Sequence, residues 1–283
     1  MKTKRSLLLA VLALACVAVA VQDQDKGVLL VDKNGNFKIY DAPSSLFDLL
    51  ESGDISFKAE GSPMRGFSKQ QGLTFSAKKM EGYAKRTSDG NLRLQNGTAT
   101  GDVVMDVKSS VEAAQTTTSS HIETQSLKMT ETDTGTTVVF PGPFLFNNSL
   151  TTTNLERTIQ LKAPSGTFLL PVLDQTAGMK NPFLHADVKG PVDVLVVSKT
   201  KTDRGTSQWT VHVVCDSVTY DASDRTLRLL GNVKGDVTTQ PATGEPFGFD
   251  VNVDWITILL DDNMMWKDVR MGKGGVQSKG GGQ

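Results

Sequence analysis

Apolar and polar positions alternate with a period of two along most of this chain. The stretch from Trp209 to Gln240 shows it most clearly. Val211, Val213 and Cys215 share one parity, a polar turn follows at Asp221 to Arg225, and Leu227, Leu229, Gly231, Val233, Gly235 and Val237 then share a second run. Period two over this length marks extended strand with one face buried. The glycines interrupt the apolar face without changing its phase, so they mark bends, bulges or close backbone contacts.

The unit is built more than once. Two large apolar residues followed by a small one, all on one face, recur at Ile55-Phe57-Ala59, Leu73-Phe75-Ala77, Ile159-Leu161-Ala163 and Val211-Val213-Cys215. A glycine signature follows several of these. Gly97 to Val103 aligns with Gly231 to Val237, Ala186 to Val192 is a third version, and Gly142-Pro143-Phe144 is a shorter echo. Gly101, Gly142, Gly190 and Gly235 then recur at intervals of roughly 40–50 residues, the range of repeat architectures. Leu92 and Leu94 precede Gly97 in the opposite parity, so a bulge is expected near Asn96-Gly97. Turns fit at Asn34-Gly35-Asn36, Asp89-Gly90, Asp133-Thr134-Gly135 and Asp221 to Arg225. Ala42 to Leu50 reads as a short helix capped by Ser44 or Ser45. The polar segments Ser109 to Ser120 and Asn147 to Arg157 read as connections.

The first twenty residues read differently. Lys2, Lys4 and Arg5 precede a short apolar run from Ser6 to Ala20, and Ala18-Val19-Ala20 offers a small-x-small cleavage site. This is the pattern of an export signal. The rival is an anchor retained through residues 6–20, although the run is shorter than the roughly 20 residues a spanning helix needs. Cleavage would remove Cys16 and leave Cys215 as a lone thiol. It would also move the formal net charge from -1 to about -4, which argues against a nucleic-acid partner. The divisions expected are an export signal at 1–20, N-terminal strands with a short helix at 21–53, a repetitive β domain at 54–270 and a flexible Gly/Lys-rich tail at 271–283.

No catalytic constellation emerges. His121, His185 and His212 are far apart and lack metal-binding spacing. Cys215 occupies the slot that Ala59, Ala77 and Ala163 fill elsewhere, which favours a small core residue over a nucleophile. Asp250, Asp254, Asp261 and Asp262 flank an apolar run without calcium-loop spacing. Trp255 and Trp266 suit packing of a terminal strand. No cofactor, no metal and no enzymatic activity is expected.

Cys215-Asp216-Ser217-Val218-Thr219-Tyr220-Asp221, followed by Leu227-Arg228-Leu229-Leu230-Gly231-Asn232-Val233, resembles the OstA-like family of periplasmic lipopolysaccharide transport proteins, which includes LptA and LptC. Residues 73 to 103 carry a looser match. The resemblance implies an all-β fold of repeated antiparallel strand units forming an open β-jellyroll or folded sheet (a β-taco). It implies a periplasmic transport protein that shields the acyl chains of lipopolysaccharide or a related glycolipid and helps bridge inner to outer membrane. Phe57, Phe75, Val103, Met105, Leu161, Val192, Val194, Val213, Leu227, Leu229, Val233 and Phe249 are then the candidate lipid-groove residues. Implied partners are an amphipathic glycolipid, other OstA-like envelope proteins through edge-strand pairing, and a second copy of the chain. Two alternatives remain: a structural β-repeat protein of the cell envelope with a solid core, and a polysaccharide-active β-solenoid enzyme.

Overall fold

The computed structural model describes residues 30–31, 37–68, 72–86, 88, 92–111, 115–170, 183–260 and 266–279. The export signal, the turns at Asn34 to Asn36 and Asp89-Gly90, and Asp261 and Asp262 lie outside them. Among the described residues no helix is long and apolar enough to cross a membrane.

The elements are strands. The N-terminal group is β1 (Leu30–Val31), β2 (Phe37–Tyr40), β3 (Ser44–Leu49), β4 (Ile55–Ser68), β5 (Leu73–Arg86) and β6 (Leu92–Val111). The middle group is β7 (Thr116–Thr132), β8 (Gly135–Phe140), β9 (Phe144–Thr151), β10 (Leu155–Ala163), β11 (Ser165–Leu170) and β12 (His185–Thr202). The last group is β13 (Gly205–Asp221), β14 (Thr226–Gln240), β15 (Phe247–Leu260), β16 (Trp266–Met271) and β17 (Gly274–Lys279). All pairings are antiparallel, mostly between neighbours in sequence.

The middle group closes on itself. β7 pairs with β9 along its first half and with β8 along its second. β12 pairs with β11 and then with β10 in the same divided way. β8 joins β11 and β9 joins β10, which completes a ring of six strands. This corrects the expected open jellyroll or folded sheet: the fold is all-β, with a closed six-stranded barrel from which the other strands continue. Alternation along one strand shows which face is buried. It carries no information on how a long strand divides its edge between two partners, and that division closes the ring.

A transverse crease crosses the long strands at one level. Register shifts occur between Glu60 and Met64, Thr100 and Val103, Lys189 and Val192, Val214 and Ser217, and Leu230 and Val233. The breaks between β8 and β9 and between β10 and β11 fall on the same line. A strand cannot turn sharply with its ladder intact, so each strand inserts extra residues here. Gly101-Asp102 and Gly231-Asn232 do so with two successive left-handed residues, a conformation open to glycine and tolerated by Asp and Asn. Gly101 therefore matches Gly231, not Gly235. Gly235 serves another purpose: a Cβ there would strike the backbone of His212.

The crease also explains the three-residue signature. Its small third members, Ala59, Ala77, Ala163 and Cys215, are all buried at the inner corner, immediately before the break. Two half-strands converge there and leave little side-chain volume. The expected bulge near Asn96-Gly97 lies at Gln95, because Tyr83 pairs with Asn96 and Ala84 with Leu94.

Other expectations fail at the level of elements. The expected helix at Ala42 to Leu50 is largely β3, in register with β4 from Ser44↔Glu60 to Leu49↔Ile55. Its leucines stay exposed, so no helical face is buried. Ser109 to Ser120 and Asn147 to Arg157 belong largely to strands, with Ser110 facing Thr117 and Glu156 facing Thr151; hydroxyl and β-branched side chains suit such a ladder. Within the expected flexible tail, β17 pairs with Gly248 to Val253 of β15.

Two clusters form the core. The larger runs from one half of β5 and β6 through the barrel to β15, and the smaller lies under β2, β4 and the other half of β5 and β6; Phe75 and Met129 pack against both. Phe140, Phe144, Phe146, Phe168 and Phe183 fill the barrel. Phe140 stacks on Phe144 at 4.5 Å between centroids and meets Phe168 edge-on at 5.6 Å. Outside the barrel, large rings cover glycines on the facing strand: Phe57 lies against Gly82 and Phe75 against Gly66.

Gly231→Ala is expected to lower the stability of the chain by about 1–3 kcal/mol, because the left-handed backbone and Asp216 both oppose a Cβ. Gly142→Ala, with no atom within 4 Å of the added carbon, should stay within about 0.5 kcal/mol of the parent. Urea unfolding of both variants checks the pair.

Candidate functional site

The twelve candidate groove residues lie on the inner face. Val192 and Val233 are fully buried, and Phe57, Val103, Met105, Leu161, Val194, Val213 and Leu229 are nearly so. Phe75, Leu227 and Phe249 are partly buried against the same core. They face other side chains. The pocket beneath Phe75, Met105 and Met129 holds about 30 Å³, room for roughly one or two waters and far too little for an acyl chain. The lipid-shielding groove is thereby corrected: the interior is a closed, packed core. Sequence reading missed Phe140, Phe144, Phe146, Phe168 and Phe183, the rings that fill this space. Their only signal was a run of phenylalanines on one parity, at 140, 144 and 146.

Cys215 is a free, buried thiol whose Sγ donates to the carbonyl of Ser217 at 3.3 Å. Burial pushes its pKa up to about 11. A thiol needs its thiolate to react, so this environment suppresses nucleophilic chemistry.

The histidines sit on the outer face, partly exposed. His121 on β7 meets Asp106 through Nδ1 at 2.8 Å and Glu123 through Nε2 at 3.0 Å. These carboxylates hold opposite nitrogens, so they do not converge on one point. Hydrogen bonds to Glu123 and Asp106 raise its pKa above the usual 6.5. His212 on β13 meets Asp193 on β12 at 2.9 Å. Asp216, four residues along the same strand, instead accepts from Asn232 Nδ2 at 2.8 Å. Among the described residues no group of three or more His, Cys, Asp or Glu is placed to hold a metal ion.

At the hairpin from β3 to β4, Asp54 is nearly buried and accepts from Tyr83, Ser52 and the Arg86 backbone N–H, the last at 2.9 Å. These donors, Tyr83 first, hold its carboxyl below the usual range. The cluster ties the hairpin to β5. Near the C-terminus, Trp255 covers Gly272, whose N–H donates to the Trp255 carbonyl at 2.9 Å.

The outer side of the crease is a different surface. Lys78 pairs with Asp102 at 2.6 Å, and Gln125 donates to Asp102 at 3.0 Å, which clasps β5, β6 and β7 together. Beside this clasp lies a solvent-open groove of about 880 Å³ that crosses β6, β7, β9, β10, β12 and β13. Pro143, Pro164 and Pro191 line its bends, with Phe144 and Ala163 behind them. Its size falls in the range of ligand clefts. The sequence held no signal for it, because its residues come from six strands.

No family model, curated protein or solved structure matches this chain. The resemblance to the OstA-like family rests on the quoted residues alone, and the open fold it implied differs from the closed barrel found here.

Two measurements follow from these environments. In the chain cleaved after Ala20, Cys215 is the single thiol. With about one thiolate per thousand molecules at pH 8, iodoacetamide should leave the native chain unlabelled and label the urea-unfolded chain fully. For His121, a folded-state pKa above the unfolded 6.5 contributes stability that is complete below that value and is lost as pH rises through the folded one. His121→Gln should therefore flatten the fall in urea midpoint above pH 6.5.

Proposed function

We propose that this chain is a structural β-repeat protein of the cell envelope: a non-catalytic scaffold with a solid core. The observation that carries the reading is the barrel interior, where five phenylalanines interlock. A packed core of this kind gives rigidity and a single shape. The basic and apolar pattern of residues 1–20 supports export, with the envelope as the destination.

Such a scaffold acts through its surfaces. Its sheet ends are split between short strands. β3 covers one half of β4 with Leu46 and Leu49 at 71% and 63% exposure, and β17 covers one half of β15 with Val276 at 50%. Unprotected edges pair with other strands, so the proposed partners are neighbouring proteins or further copies of this chain.

Native mass spectrometry of the chain purified from cells under mild conditions tests the proposal. The expected species are the chain and its multiples, free of lipid. A stoichiometric adduct with the mass of an acylated glycolipid would overturn the solid-core scaffold.

A further inference from the structure

The outer groove at the crease is lined by an ordered row of side chains. Strand register sets them side by side: Val104 on β6, Glu123 on β7, Leu145 on β9, Lys162 on β10, Asp193 on β12 and Val214 on β13. Across the strands the row runs apolar, acid, apolar, base, acid, apolar. Asp102, the other lining acid, is already paired with Lys78. Glu123 and Asp193 each give one oxygen to a histidine, His121 and His212, and each carboxylate has a second oxygen. Val214 leaves 40% of its surface in solvent.

We propose that this groove docks an extended peptide segment of a partner protein, lying across the strands, with two basic side chains four residues apart. The spacing follows from geometry. Glu123 and Asp193 are three strand intervals apart, about 14 Å at the usual separation of adjacent strands. An extended chain advances about 3.3 Å per residue, so four residues cover the same span. Residues i, i+2 and i+4 of such a chain share one face. The outer two therefore meet the carboxylates, while the middle one lies over Leu145 and Lys162. The Lys162 ammonium excludes a basic residue there and favours an apolar or acidic one. Leu145, with Val104 and Val214 at the two ends, supplies apolar contact. Charge at such a rim chiefly sets specificity and the rate of encounter. The inference goes beyond the scaffold role and is independent of what fills the core.

The test is selection from a displayed library of random heptapeptides against the full mature chain, with E123Q/D193N as counter-target. Both acids are more than 40% exposed, so the variant should stay folded; the loss of their pairing with His121 and His212 is read from its thermal midpoint, and binding is compared well below the midpoints of both chains. The expected outcome is enrichment of sequences with two Lys or Arg four apart and no base between them. The best such peptide should bind E123Q/D193N about tenfold more weakly, and Lys162→Glu should accept a basic middle residue that the parent rejects. Failure to enrich any peptide, enrichment without the basic pair, or equal binding by parent and E123Q/D193N would each overturn the assignment. So would loss of peptide binding as the chain's own concentration rises, which would mark the groove as a contact between copies.

Discussion

The constraint on which this structure depends is that a long strand cannot turn over without interrupting its hydrogen-bond ladder. The chain meets it at one level on strand after strand. An inward residue ends the first half (Ala59 on β4, Ala99 on β6, Val188 on β12, Leu229 on β14), one or more unpaired residues make the turn, and Met64, Val103, Val192 or Val233 restarts the inner face. Because the turns line up, both halves of every strand retain partners. Where the turn becomes a full break, between β8 and β9 and between β10 and β11, the half-strands are shared between β7 and β12 and the ring closes.

Closure decides what the interior can be. An alternating strand offers one apolar face, and that face must be covered. In the barrel the opposite wall covers it, with aromatic rings spanning the gap. Away from the barrel, coverage comes from rings laid over glycines, as with Phe57 on Gly82 and Phe75 on Gly66. These arrangements use up the space that a bound alkyl chain would occupy. The same crease has an opposite effect outside. There the bends leave a groove, and polar clasps such as Lys78 with Asp102 and Asp216 with Asn232 hold adjacent strands together along the crease beside it.

Several features were legible in the residues. Period two gave strands and the inner parity, and the small-residue slot identified Cys215 as a core position before its buried thiol was seen. The parity conflict between Leu94 and Gly97 located a bulge to within two residues. Other features were misread for identifiable reasons. Leu46, Leu49 and Leu50 share a helical face as readily as they occupy an exposed edge strand, and short apolar runs do not distinguish the two. The Ser/Thr segments looked like connections because they bury little apolar surface, although hydroxyl ladders pair well. Gly231 and Gly235 were interchangeable as letters; only their backbone angles and neighbours separate the bend from the close approach.

The sequence by itself determined the local chemistry of this protein: extended strands, the face each one buries, the bulge demanded by the parity conflict before Gly97, and the lack of metal-binding spacing among its histidines. Those properties depend on neighbours within a few residues. The tertiary structure alone decided that β7 and β12 divide their edges between two partners, that five phenylalanines meet in one interior, and that Glu123 and Asp193 stand on one row across the crease. These are relations between strands far apart in the chain. Register and closure set them, and no period along a single strand encodes either.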